Sequence, residues 1–122
     1  MSEADVLQKL DAIRDESNRI LKLFENGRVP QANVREAQEL FRALKEKLQS
    51  EYKRMATVRG QAALTKVEAH SFKPAIDDAW ANTDIASTRW NSRPDHRWHD
   101  ALWNVRGYME YWSEDLRSVG NS

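Results

Sequence analysis

The feature that most constrains the fold is an unbroken helical stripe that occurs twice. Near the start of the chain Val6, Leu10, Ile13, Ser17, Ile20 and Phe24 recur at spacings of 4, 3, 4, 3 and 4. Toward its end Trp98, Leu102, Val105, Met109, Trp112 and Leu116 repeat the same order. Side chains at those spacings share one face of an α-helix and cannot share one face of a strand, whose period is two. A lone helix would leave such a stripe in water, so each needs neighbours to cover it. Leu7 and Leu21 widen the first stripe, which suits a helix packed against two others better than a two-stranded coiled-coil seam.

The breaks between helices are equally legible. Asn26-Gly27 supplies residues that tolerate the left-handed conformation and Pro30 blocks continuation, so helix 1 is expected to stop near residue 26. Asn33 and Glu36 have the spacing of a capping box, and Val34, Ala37, Phe41, Leu44, Leu48, Met55 and Val58, broadened by Leu40, predict a second helix to about residue 58. The short connection makes residues 1–58 a helical hairpin. Gly60 interrupts the pattern, and residues 61–72 read either as a short helix or as a bent extension of helix 2. Pro74 suits the first position of a third helix, which Ile76, Trp80, Thr83, Ser87 and Trp90 extend to about residue 90. Ser92-Arg93-Pro94-Asp95 gives the last break, and helix 4 runs until just before Gly120. Asp15 with Arg19, Arg35 with Glu39, Arg42 with Glu46 and Lys47 with Glu51 are placed to pair on outer faces. The expected fold is all-α: a single domain over residues 1–122, built as an antiparallel four-helix bundle from the N-terminal hairpin and two further helices.

Composition removes several functional classes. With no cysteine there can be no disulfide framework, thiolate metal site or cysteine nucleophile. Lysine plus arginine balances aspartate plus glutamate at 19 each, so no net field favours duplex nucleic acid or an anionic membrane. The start of the chain has neither a basic nor an apolar leader segment and no run is long and apolar enough to span a bilayer, so a cytoplasmic protein without a membrane partner is expected. No phosphate loop, nucleotide fingerprint or Ser/His/Asp set occurs, and no cofactor is expected.

All five tryptophans fall between Trp80 and Trp112. Trp80, Trp90, Trp98 and Trp112 sit on core stripes, where large aromatics belong. Trp103 does not. At ~100° per residue it lies about 160° from the centre of the helix 4 stripe, on the face of His96, Asp100, Gly107, Glu110, Tyr111 and Glu114. Gly107, one turn further on, costs about 1 kcal/mol against alanine inside a helix unless something approaches the backbone there. Trp103, Gly107 and Tyr111, flanked by Asp100 and Glu114, therefore predict a docking stripe for a protein partner, a second copy of the chain or a different protein. The competing reading is that residues 61–72 fold back and bury Trp103 internally. Taken with the absence of a catalytic set, the docking stripe points to a non-catalytic interaction module: an adaptor, inhibitor or regulatory subunit.

A second constellation supports an enzyme alternative. His96 and His99, three residues apart among Asp95 and Asp100, could face one ion, although no second metal-ligating pair accompanies them and no metal is expected. Arg89 precedes His96 with six residues between, and Arg93 precedes His99 with five. This spacing resembles the Arg-x4-6-His motif of the HEPN ribonucleases, small and commonly dimeric helical bundles. The resemblance spans residues 89–99, and Trp90 or Pro94 stands where that family tends to carry a polar residue after its arginine. It implies a nuclease in which Arg89 or Arg93 binds the scissile phosphate and His96 or His99 acts as general acid or base. Arg89, Arg93, Arg97 and Arg106, interleaved with Trp90, Trp98 and Trp103, could also clamp phosphates and stack bases, but the neutral total charge makes nucleic acid an unlikely ligand.

Overall fold

Two long helices carrying the recognised stripes, α1 (Glu3–Leu21) and α5 (His96–Gly120), lie antiparallel against each other in a computed structural model that describes residues 1–120. Between them come α2 (Val34–Ala56), the short α3 (Val58–Ala62) and α4 (Lys73–Ala81), the last continuous with a π-helical turn at Glu68–Phe72. α1 touches α2, α2 touches α4, α4 touches α5, and α5 closes the ring on α1. Polar contacts give the directions. Lys9 pairs with Glu51 and Glu16 with Lys47, His70 lies near Asp115 and Asp78 near Trp112, and Asp11 meets both Ser113 and Arg117. Each neighbour therefore runs opposite to the next, and the molecule is an all-α, antiparallel four-helix bundle in up-down-up-down order.

The core is one cluster to which every long helix contributes. Val6, Leu10, Ile13 and Ile20 meet Phe41, Leu44, Leu48 and Met55, and Phe72, Ile76 and Ala79 meet Trp98, Leu102, Val105, Met109 and Leu116, all fully or almost fully buried. Ser17, which occupies a stripe position in α1, is buried too and satisfies its hydroxyl by donating to the Ile13 carbonyl.

Several boundaries depart from the sequence expectation, each for a physical reason. α1 ends at Leu21 instead of near residue 26, because the Leu23 and Phe24 amides bond three residues back and tighten the chain into a turn. Asn26 and Gly27 then take positive φ, and Phe24 leaves the helix while still packing against the core. Asn33 makes no capping bond; a 3₁₀ turn at Gln31–Asn33 enters α2 instead. At the other end Thr57 is extended, so Val58 leaves the stripe and is 87% exposed. A side chain at Gly60 would stand 1.9 Å from the Arg54 carbonyl oxygen, which explains the glycine there.

The segment over residues 61–72 is neither of the two expected alternatives. It completes α3, turns, and restarts as a helix at residue 66 that widens into the π turn before Pro74. Proline has no amide to donate and crowds the carbonyl four residues back, and a widened turn relieves that conflict without breaking the rod. The third helix stops at Ala81 rather than near residue 90, since its expected continuation rested on Thr83 and Ser87, whose hydroxyls bond the backbone carbonyls of Ala79 and Asp84. Residues 82–95 form an irregular strap held by buried Ile85 and by Lys45, which donates to the Ala86 and Thr88 carbonyls. Trp80, Trp90 and Trp112 are partly buried and pack against the core, and Trp98 is the fully enclosed tryptophan. None of the four expected i,i+4 charge pairs forms; Arg42 and Arg54 pair three residues back, and Lys47 and Glu51 reach across to α1.

Glu68 is the most buried carboxylate, 5% exposed. Its Oε1 accepts from the Met1 ammonium at 2.9 Å and from the Thr65 hydroxyl at 3.1 Å, while Thr65 and Glu68 exchange backbone-to-side-chain bonds as a capping box. Burial pushes this carboxyl up, but the ammonium and the Thr65 amide and hydroxyl outweigh it and hold Glu68 below the ordinary value of 4.5. Because the folded value is depressed, the stabilisation is present above the unfolded value and is lost as pH falls through the folded one. Glu68→Gln is expected to shrink the difference in denaturant stability between about pH 6 and about pH 3 relative to the parent protein. An unchanged difference would show that other carboxylates carry the acid sensitivity.

Candidate functional site

The rotation of α5 about its own axis decides which side chains face out. Asp95 caps the helix, its Oδ1 accepting from the amides of Arg97 at 3.0 Å and Trp98 at 3.4 Å. One turn in, the Trp98 ring stacks on Phe41 with centroids 4.1 Å apart, and its indole N–H donates to the Ser92 hydroxyl at 3.0 Å. With Trp98, Leu102, Val105 and Met109 pointing inward, residues 103 and 111 point out. Trp103 is 53% exposed and Tyr111 61%. The π turn and its flanks pack on α1 and α5 at the far end of the bundle and leave Trp103 uncovered.

Trp103, Gly107 and Tyr111 line one groove of about 380 Å³ together with Asn104, Tyr108 and, from α4, Asp78. Asp78 is delivered by a specific tether: its Oδ2 accepts from the Trp112 indole N–H at 2.8 Å, and Oδ1 accepts a longer bond from the Asn82 amide at 3.3 Å. Trp103 is held from within its own helix. The Arg106 guanidinium lies 4.1 Å from its ring centroid while donating to Glu110 at 2.8 Å, and His99 stacks nearly parallel to it at 6.1 Å. His99 in turn meets Phe24 edge-on at 5.4 Å, so the turn after α1 supports the aromatic row. A side chain added at Gly107 would find nothing within 4 Å. No internal packing requires this glycine.

Of the flanking residues, Asp100 and Glu114 are exposed, with Asp100 4.0 Å from His99 Nδ1. Of the residues of the nuclease reading, His99 packs on Trp103 at the end of the groove and the other three do not line it. Arg89, Arg93 and His96 are exposed. Arg93 lines a hollow with Arg28, Pro94 and Asp95, and Arg89 lines an adjoining one that shares Asp95 and includes Arg97 and Trp98. Among the described residues no hydrogen bond, ion pair or ring contact joins Arg89 or Arg93 to His96 or His99, and no three His, Asp or Glu side chains gather as a metal set. Nor, among the described residues, is any helix long and apolar enough to cross a membrane.

Asp78 and Tyr108 were not singled out by sequence. Tyr108 follows the anomalous glycine and could have been suspected from it, whereas Asp78 joins the groove only because α4 packs on α5 and Trp112 reaches across. Comparison with protein-family models, characterised proteins and solved structures finds no match.

Gly107→Ala should raise the stability of the protein by about 1 kcal/mol, since alanine is the better helix former and its methyl group meets no neighbour. Thermal unfolding followed by circular dichroism reads this as a rise of a few degrees in Tm. A fall would mean that the fold itself needs the glycine.

Proposed function

We propose that this protein is a non-catalytic protein–protein interaction module, an adaptor, inhibitor or regulatory subunit, that docks a partner on the outer face of α5. The observation that carries the reading is the pair of large aromatics, Trp103 and Tyr111, each more than half exposed and one helical turn to either side of Gly107. Trp and Tyr bring much apolar area with few rotatable bonds, which is why they anchor protein interfaces. Trp103 is also pre-ordered by Arg106 and His99, so little side-chain entropy remains to be lost on docking. The missing Cβ at Gly107 lets an incoming side chain or helix approach the backbone between the two rings. Either a second copy of the chain or a different protein fits this description. The nuclease alternative gains no support from the contacts, since His99 packs against Phe24 and Trp103 and, among the described residues, no hydrogen bond or ion pair joins Arg89 or Arg93 to a histidine.

Light-scattering mass measured over a range of concentration separates the two occupants. If the protein self-associates, Trp103→Ala should shift it to the monomer; if it is monomeric, Trp103→Ala should abolish retention of whichever partner the parent protein binds. In both cases the stability should change by no more than about 1 kcal/mol, because the ring is half in solvent. Trp98→Ala, which empties the core, should by contrast cost about 3–5 kcal/mol. Association that survives both Trp103→Ala and Tyr111→Ala would remove this reading.

A further inference from the structure

The groove is more specific than an apolar patch, and its chemistry describes the group it would receive. Resting on the interaction reading above, we propose that it takes a cationic side chain, an arginine presented by the partner protein. The guanidinium would sit over Gly107 between Trp103 and Tyr111 with its charge toward Asp78.

Three features converge on a cation. The lining offers three electron-rich rings, Trp103, Tyr108 and Tyr111, and aromatic faces attract positive charge through their quadrupole. The one ionisable acid or base among the lining side chains, apart from the tyrosine hydroxyls, is the carboxylate of Asp78. Among the described residues no lysine, arginine or histidine lies within ion-pair distance of it, and its Oδ1 accepts only the long bond from Asn82, so acceptor capacity remains. The surrounding charges do not cancel it. Lys73 is engaged by Asp77 and Arg106 by Glu110, while Glu114, further along the same face of α5, forms no ion pair among the described residues. A phosphate or carboxylate ligand would meet repulsion here, and a single carboxylate is too few ligands for a metal ion.

Arginine fits better than lysine because a planar guanidinium can stack on a ring and present a fork to a carboxylate at once. The chain contains its own example of that pairing on the groove's own Trp103, whose ring already carries the Arg106 guanidinium that bonds Glu110. Gly107 supplies the clearance that the flat group needs.

The indole N–H of Trp112 is a built-in reporter, since it donates to the carboxylate that the cation would engage. Isotope-labelled full-length protein would be titrated by NMR with N-acetyl-arginine methylamide and, separately, with the citrulline derivative, its neutral isostere. Saturable shifts of the Trp112 and Trp103 indole signals are expected with arginine, with binding about tenfold weaker for citrulline. Asp78→Asn retains an acceptor for Trp112 and should lower arginine binding to the citrulline level. Equal binding of the two probes, arginine binding unaffected by Asp78→Asn, or unmoved indole signals into the tens of millimolar would each overturn the proposal. If Trp103→Ala still weakens association under those outcomes, the interface stands and only its cationic occupant is wrong; if it does not, both readings fail together.

Discussion

The stacking of Trp98 on Phe41 is the contact on which the arrangement of the outer surface depends. The apolar stripe decides which side of a helix faces its neighbours, and its largest buried side chain fixes the rotation most tightly. Trp98 is the largest fully buried residue in the protein, and it has a directional handle as well, the indole N–H bonded to Ser92. Asp95 fixes the first turn of α5 immediately before it. A rotation of α5 by one residue position, ~100°, would carry Trp98 off Phe41, strand its N–H, and turn Trp103 and Tyr111 toward other helices. The exposure of the groove is therefore a consequence of how the core is packed on the opposite side of the same helix.

The half of the bundle that does not follow simple stripes is held by polar tethers in place of apolar periodicity. Among the described residues Lys45 pairs with no carboxylate and instead donates to two carbonyls of the 82–95 strap, and burial pushes its pKa down. Gln38 bonds the Ser92 carbonyl and Arg42 lies over the Trp90 ring, so three residues on one face of α2 anchor a segment with no regular structure. That anchoring matters for the site, because the strap ends in Ser92 and Asp95, the two residues that orient Trp98 and cap α5. Glu68 performs a comparable task at the other end, tying the start of the chain to the π turn.

The all-α bundle was legible because the stripes of α1, α2 and α5 are made of side chains that gain by burial. The spacing argument carried across the single Ser17 of α1 but failed in the third helix, where the continuation rested on two hydroxyl residues in succession. Thr83 and Ser87 keep the 4 and 3 intervals, yet each has a nearby backbone carbonyl to bond and little to gain from the core, so the helix ends before them. The two working capping boxes, Ser2 with Asp5 and Thr65 with Glu68, have the same signature as Asn33 and Glu36, which does not cap. Local spacing cannot tell these apart, because the 3₁₀ turn after Pro30 puts Asn33 at φ −109° and ψ 0°, away from the extended cap geometry. Of the groove, Trp103, Gly107 and Tyr111 were visible as violations of the α5 stripe, while Asn104 and Tyr108 were not. The contribution of α4 was not, since Asp78 is an ordinary surface aspartate until packing brings it to Trp112.

Gly107 joins stability to function in this protein. Its position has room for a methyl group, and the helix would be more stable with one, so neither strain nor internal packing explains the glycine. The neighbouring residues point the same way: Trp103 and Tyr111 leave apolar area in water that a monomer gains nothing by exposing. Asp78 likewise holds a charge that has no counter-ion among the described residues, at the edge of the same groove. Three independent departures from what a free-standing bundle would favour fall within two turns of one helix and the side chain that faces them. The proposed docking of an aromatic-compatible, positively charged group over the glycine would relieve all three at once.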